Sequence, residues 1–193
     1  EGKAFCAGQD LSEATDLNGP ELTKIVQEHY NPIIRKIRNI EKPVVAAVNG
    51  VAAGAGASIA LCCDIVVATE NASFIQAFSK IGLIPDSAGT FFLPRLVGLQ
   101  KATALMMTAE SISANDAEKM GMIYKVFPDE SFVERSWNLV SKLSQMPTKG
   151  LGLTKKLLNE SYNNNLEQQL DMEDKCQSIA GETNDFMEGV QSF

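Results

Sequence analysis

The spacing of hydrophobic positions changes along this chain, from short apolar runs in the front part to helical periodicity in the tail. Residues 43–48 are apolar throughout and rich in valine, which predicts a buried strand. Short strands are also predicted at 64–68, 72–76 and 122–127, where β-branched and aromatic residues alternate with turn signals. The front part therefore has the pattern of a sheet-containing domain.

Helices account for most of the remaining pattern. Residues 20–40 carry apolar side chains at helical spacing, and Pro32 inside that run predicts a kink. Further helices are predicted at 101–108, 113–120, 132–145, 149–163 and 166–181. The chain thus has a front part of strands and helices followed by a part with helices alone, which predicts an α/β fold. The expected division is a core domain over 1–128 and a helical C-terminal region over 129–193.

Two turns rich in glycine and alanine interrupt this pattern. The first is FCAGQDL over 5–11, and the second is NGVAAGAGAS over 49–58, which leads into an apolar stretch that predicts a buried helix. Small residues let a ligand approach the backbone, and an N–H at a helix start is unsatisfied and carries the positive end of the helix dipole. Two such amides from separate turns would form an oxyanion hole. The alternative is a pair of plain strand-to-helix turns.

The ends of the chain also bear on its interpretation. The chain begins at Glu1 rather than methionine and enters the first turn within five residues, and no strand is predicted ahead of that turn. It ends at Phe193 while a helical pattern is still running. We therefore expect a chain that is truncated at both ends and lacks the N-terminal strands of its core domain.

Composition excludes several classes of protein. The 193 residues, 45% of them hydrophobic, are enough to bury one core, and no apolar run reaches the ~18 residues of a membrane span. No signal peptide is visible, and a net charge of −7 argues against binding to nucleic acid. The four cysteines show no metal-binding spacing. These features predict a cytoplasmic protein without membrane or nucleic-acid partners.

Few residues are candidates for acid–base chemistry. The single histidine, His29, lies on the predicted amphipathic helix with no paired serine or cysteine motif, so a catalytic triad is not indicated. Phosphate-binding glycine loops and metal-ligand motifs are not found in the sequence. Asp86, in LIPDSAGT, is either the N-cap of a helix that starts near Ala88 or a general base with a pKa raised by apolar surroundings. The pattern alone leaves both interpretations open.

Several segments, in order, resemble the enoyl-CoA hydratase/isomerase (crotonase) family. After FCAGQDL they are KPVVAAVNGVAAGAGAS, CDIVVATENASF, AFSKIGLIPDSAGTFFLPRLVG and ISANDAEKMGMIYKVF, and together they span nearly the whole chain. Some of these segments, together with IAGETNDFMEGVQSF, resemble one group within the family more specifically. That group isomerises ring-epoxidised phenylacetyl-CoA in bacterial phenylacetate breakdown. The resemblance implies a ClpP-like spiral of ββα units followed by a helical trimerisation region.

The resemblance also implies the residues of the site. The backbone amides of Gln9 and Ala55 would form the oxyanion hole, and Asp86 falls where double-bond isomerases of the family carry their acid. The two glutamates of the hydratases are replaced by Ser58 and Phe78, which cannot act as bases, and this favours isomerisation over hydration. Residues implied to line the substrate or its CoA are Ala7, Gly8, Asp10, Leu11, Gly54 and Phe78.

The implied activity is that of an acyl-CoA isomerase acting on ring-1,2-epoxyphenylacetyl-CoA. CoA would be part of the substrate, no metal or redox cofactor would be needed, and the assembly would be a homotrimer or a hexamer built as a dimer of trimers. The alternatives are a 3-enoyl-CoA to 2-enoyl-CoA isomerase or another crotonase-type acyl-CoA enzyme, with a hydratase less favoured. A non-catalytic trimeric or RNA-binding relative represents a different class.

Overall fold

The computed structural model of the chain describes residues 2–14 and 19–192, and only the backbone of Ala14. The strands of this part form a four-stranded sheet of order β1-β3-β5-β6 and a three-stranded sheet of order β2-β4-β7. Neighbouring strands are parallel, except for the antiparallel pair β5 and β6. The strands are β1 Ala4–Cys6, β2 Val45–Val48, β3 Val51–Ala53, β4 Ile65–Thr69, β5 Ser73–Ile75, β6 Ser111–Ser113 and β7 Lys125–Phe127.

Helices surround these sheets and make up the tail. None of those in the described residues is long and apolar enough to cross a membrane. In addition to a π-helical segment at Ile25–Tyr30 there are short 3₁₀ helices at Ala77–Ile81 and Asp129–Ser131. The α-helices are α1 Leu11–Ala14, α2 Leu22–Lys24, α3 Asn31–Asn39, α4 Ala55–Leu61, α5 Gly89–Val97, α6 Leu99–Thr108, α7 Ala114–Lys119, α8 Phe132–Ser144, α9 Thr148–Glu160, α10 Leu166–Gly181 and α11 Asn184–Ser192.

The front part is built by repeating one unit of two strands and a helix. In each unit the first strand joins the three-stranded sheet and the second joins the four-stranded sheet: β2 and β3 precede α4, and β4 and β5 precede α5. Parallel strands are covered on both faces, so their residues are apolar in runs rather than in alternation. The core between them is filled mainly by small side chains with a few large ones, among them Val48, Ala52, Ala57, Ala68, Phe74 and Leu93.

The predicted strands are present, but three others were not predicted. β1 and β3 overlap the segments interpreted as glycine-rich turns, and β6 has one apolar residue between two serines, so no local pattern marked them as strands. The expectation that no strand precedes the first turn is wrong, because β1 lies directly ahead of it and pairs with β3. Hydrogen bonds to strands distant in sequence stabilise these short segments, and local pattern contains no information about such partners.

The predicted kink near Pro32 takes the form of a wider helical turn. The helix over 22–39 is α-helical at both ends and π-helical over Ile25–Tyr30, where the Asn31 amide donates to the Val26 carbonyl five residues earlier. Proline has no N–H, and its ring clashes with the carbonyl four residues before it. A π turn just ahead of the proline accommodates both effects.

The contacts of the chain define two compact units. The first contains residues 2–37 and Val44–Trp137, and the second contains Arg38–Pro43 and residues 138–192. Within the second unit, the buried Lys155 ammonium donates to the Lys42 carbonyl at 3.1 Å. Gly152 packs so closely on the same segment that a Cβ there would stand 2.7 Å from the Glu41 carbonyl oxygen. The segment just before β2 therefore belongs with the tail helices.

Candidate active site

Parallel pairing of β1 and β3 brings the two glycine-rich turns side by side. Cys6 at the end of β1 is in register with Ala52 of β3. Because the two strands run in the same direction, the turn that follows each lies at the same edge of the sheet. A Cβ on Gly8, whose φ is +89°, would stand 3.4 Å from the Ala55 nitrogen and 3.2 Å from the Ala53 oxygen. The first turn therefore lies directly against the start of α4.

A second glycine allows α4 to approach β1 just as closely. A Cβ on Gly56 would stand only 2.2 Å from the Cys6 carbonyl oxygen, a distance that no real side chain tolerates. Gly54, with φ +54°, turns the chain from β3 into α4 and donates its N–H to the Ile75 carbonyl at 2.8 Å. Within NGVAAGAGAS, Gly56 is thus required by its contact with β1 and Gly54 by its positive φ.

The two amides proposed for the oxyanion hole lie at this contact. Ala55 is the first residue of α4, where the helix supplies no carbonyl for its N–H. Within the described residues, neither the Gln9 amide nor the Ala55 amide donates to a backbone carbonyl. Neither amide is therefore committed to a backbone partner there, as an oxyanion hole requires.

The residues expected to line the substrate divide into a surface group and a buried one. Ala7, Asp10 and Leu11 are exposed. The Asp10 carboxylate accepts from the Ser12 hydroxyl at 2.7 Å and from the Ser12 amide at 2.9 Å, which caps α1 and lowers the pKa of Asp10. Phe78 is buried, and its ring lies 3.9 Å from the position of a Cβ on Gly54. The ring therefore forms an apolar wall next to the second turn.

Asp86 lies in a loop whose backbone is strained. Ser87 and Ala88 have φ values of +50° and +59°, in the left-handed region that side chains other than glycine rarely adopt. The Asp86 carboxylate is half-buried, and burial raises its pKa above the ordinary value. The Ser87 hydroxyl donates to Asp86 Oδ1 at 2.9 Å, which moderates this rise.

The capping interpretation of Asp86 is wrong. Helix α5 begins at Gly89 with Ala88 as its N-cap, and no side chain caps it. The Gly89 amide is satisfied by the Asp86 backbone carbonyl at 2.8 Å, not by the carboxylate. The carboxylate is thus not engaged in holding the helix, and it is available for chemistry.

The phenol of Tyr30, which the sequence analysis missed, is influenced by the loop that carries Asp86 and ends at Gly89, here called the acid loop. The phenol is half-buried, and its pKa is raised first by burial and then by electrostatic interaction with Cys6, Asp86 and Glu13. These groups belong to the end of β1, the acid loop and α1. His29, beside Tyr30, is exposed as expected.

A separate groove lies in the second unit and contains none of the predicted site residues. Its volume is ≈ 760 Å³, and it runs between α9 and α10, with Leu153, Leu157, Leu170 and Cys176 among its lining residues. The site described above therefore consists of backbone and side chains of the first unit.

The first unit thus combines repeated ββα units, a glycine-rich turn packed against the start of α4 and a half-buried acid. The sequence profile described as enoyl-CoA hydratase/isomerase matches residues 1–193. The chain belongs to the enoyl-CoA hydratase/isomerase family, and it is an enzyme with the crotonase fold that acts on acyl-CoA.

Individual relatives agree with this assignment. The chain is 46% identical over 195 residues to the 1,2-epoxyphenylacetyl-CoA isomerase of Escherichia coli (strain K12), an alignment that covers 100% of this chain and 74% of the relative. It is 33% identical, with the same coverage, to the trans-2-decenoyl-[acyl-carrier-protein] isomerase of Streptococcus mutans serotype c. The crystal structure of an enoyl-CoA hydratase from Polaromonas sp. JS666 superposes with a TM-score of 0.93 at 36% identity, covering 100% of this chain and 76% of that one.

The raised pKa of Asp86 predicts how the Asp86→Asn variant will affect stability. In the folded state the pKa of Asp86 lies above its ordinary value of 3.8. The neutral carboxyl therefore stabilises the fold below pH 3.8, and this contribution is lost as the pH rises through the folded-state pKa. At pH 7 the variant should therefore be at least as stable as the parent, and its advantage should shrink in acid. Urea unfolding of both proteins at pH 7 and at pH ~4 measures this.

Asp116→Asn is the matched control, because its effect on stability should depend on pH in the opposite direction. Asp116 is exposed, and hydrogen bonding from Ser113 lowers its pKa. Its contribution to stability is present above its ordinary pKa and is lost as pH falls through the folded value. The control should be less stable than the parent at pH 7. An Asp86→Asn variant that loses stability at pH 7 in the same way would mean that the Asp86 carboxylate supports the fold.

Proposed function

We propose that this protein is an acyl-CoA isomerase in which Asp86 moves a proton between carbon atoms of the acyl group. Its proposed natural substrate is ring-1,2-epoxyphenylacetyl-CoA, converted to 2-oxepin-2(3H)-ylideneacetyl-CoA in phenylacetate catabolism. The observation that carries the mechanism is the half-buried Asp86 carboxylate, with its raised pKa and no role as a helix cap. The 46% identity to the 1,2-epoxyphenylacetyl-CoA isomerase of Escherichia coli supports the choice of substrate.

The proposed mechanism needs one base and two hydrogen-bond donors. The thioester oxygen accepts from the Gln9 and Ala55 amides, which lowers the free energy of the enolate formed when Asp86 removes a proton from the carbon next to the carbonyl. Asp86 then returns the same proton to another carbon, so substrate and product are isomers and the enzyme regains its starting charge. The raised pKa of Asp86 brings the carboxylate closer to the working pH, as proton transfer in both directions requires. No metal or redox cofactor is needed for this sequence of steps.

A related activity is the shift of a 3-enoyl-CoA to its 2-enoyl isomer. It uses the same two donors and the same base, with the proton taken from C2 and returned to C4. Hydration is less favoured, because the positions of the two hydratase glutamates hold Ser58 and Phe78. Both are buried, and neither can activate water as a carboxylate does.

The Asp86→Asn variant tests the base. Asparagine keeps the shape of the side chain but cannot accept a proton, so isomerisation of a 3-enoyl-CoA should fall by about 10²-fold or more. Conversion to the 2-enoyl product can be followed by its absorbance, and circular dichroism checks the fold. Asp171→Asn on the exposed face of α10 is the control and should keep full activity. Full turnover by a folded Asp86→Asn variant would rule out Asp86 as the base.

The Ala55→Pro variant tests the oxyanion hole. Proline suits the first position of a helix, where its missing N–H leaves no intrahelical bond unmade. The substitution therefore removes one donor to the thioester oxygen, and turnover should fall by about 10²- to 10³-fold. Leu99→Pro is a matched control, since Leu99 is also the first residue of its helix and follows a glycine with positive φ. If Ala55→Pro folded normally and kept the activity of the control, the Ala55 amide would not bind the oxyanion.

The proposal includes a cytoplasmic homotrimer, or a hexamer formed by two trimers. Its support is the apolar surface of the tail helices, which a partner chain would cover. Exposed residues there include Leu158, Leu166, Leu170, Ile179, Met187 and Val190. Sedimentation velocity of the purified protein should give three or six times the mass of one chain. A stable monomer would contradict the assembly.

A further inference from the structure

Three unpartnered polar atoms converge at one buried place beneath the acid loop. Among the described residues, the buried side-chain atoms without a hydrogen-bond partner are Ser58 Oγ, Gln76 Nε2, Gln76 Oε1 and Ser136 Oγ. Ser58 and Gln76 are almost completely buried, at 0% and 3% exposure. Leaving such an atom unsatisfied destabilises the fold, so proteins rarely do so without a bound group.

Ser58 and Gln76 meet at Gly89, the residue that ends the acid loop. A Cβ on Gly89 would stand 2.6 Å from Ser58 Oγ and 3.5 Å from Gln76 Oε1. It would also lie 3.5 Å from the Cβ of Pro85, the residue just before Asp86. The polar pair therefore lies against both ends of the segment that carries Asp86.

The same segment needs support from its surroundings. Ser87 and Ala88 hold positive φ values, a strained conformation that persists only where the neighbouring structure enforces it. Ser87 is itself buried, and its hydroxyl is used by the Asp86 carboxylate. A polar layer beneath Gly89 is therefore well placed to maintain the loop conformation.

We propose that Ser58 and Gln76 hold an internal water molecule, and that through it both act as positioning residues for the loop of Asp86. A water has two hydrogens to donate and two lone pairs, so it can join a hydroxyl and an amide whichever way the amide points. Because Ser58 Oγ and Gln76 Oε1 both lie close to the same position beside Gly89, they are no more than about 6 Å apart, a separation that one bridging water can span. The positioning role rests on the proposed function, whereas the water site does not.

A high-resolution crystal structure of the protein tests the water directly. The expected result is an ordered water within hydrogen-bond distance of Ser58 Oγ and of the Gln76 amide. A direct hydrogen bond between the two side chains, or no density between them, would overturn the water site. This test does not depend on any variant folding or on any substrate.

Ser58→Ala and Gln76→Met test the positioning role. For a 3-enoyl-CoA, each should lower kcat about tenfold while KM stays within twofold, because the base is displaced and the CoA contacts are not. The double variant should lose no more than the worse single one, since both act through the same water. Unchanged kcat in both single variants, or losses that multiply in the double variant, would overturn the role.

Ser136→Ala is the matched control, because Ser136 is also a buried serine with an unpartnered hydroxyl but lies on α8. The Ser136→Ala variant should leave kcat unchanged, and at most it should change stability. A tenfold fall in its kcat would show that kcat reports general destabilisation and would overturn the positioning role. Wild-type turnover by Asp86→Asn would instead overturn the proposed function, and the density at Ser58 would still decide the water site.

Discussion

The candidate active site of this protein depends on the direct contact of two backbone segments that have no side chains between them. The first turn and the start of α4 approach so closely that a Cβ on Gly8 would press on the Ala55 nitrogen and the Ala53 oxygen. A Cβ on Gly56 would overlap the Cys6 carbonyl. This approach is possible because β1 and β3 are parallel neighbours and because glycine occupies both positions.

The chemistry that we propose follows from this contact. The proposed oxyanion hole uses backbone amides at the close approach, so it needs no cationic side chain. Phe78 against Gly54 adds an apolar wall beside it. On this proposal the oxyanion hole is a property of the backbone, and the type of reaction depends on which acids and bases the neighbouring loops supply.

The proposed base of this chain, Asp86, comes at a cost to the fold. Its carboxylate is half-buried, and the two residues that follow it hold strained backbone conformations. Such departures from the most stable local structure are typical of functional positions, where stability is sacrificed for reactivity. The orphaned Ser58 and Gln76 side chains beneath the same loop are a second departure of this kind.

By itself the sequence determined the long helices, strands around 43–48, 64–68, 72–76 and 122–127, and the glycine-rich turns, because each has a recognisable pattern among adjacent residues. The resemblance of its ordered motifs indicated the family, and the comparisons confirmed it. The strands β1, β3 and β6 have no such local pattern, so only their pairing in the tertiary structure revealed them. It also decided whether Asp86 caps a helix, because that depends on where the carboxylate points. The positions of Tyr30 and Gln76 were decided in the same way, since burial and electrostatic neighbours arise only when segments far apart in sequence pack together.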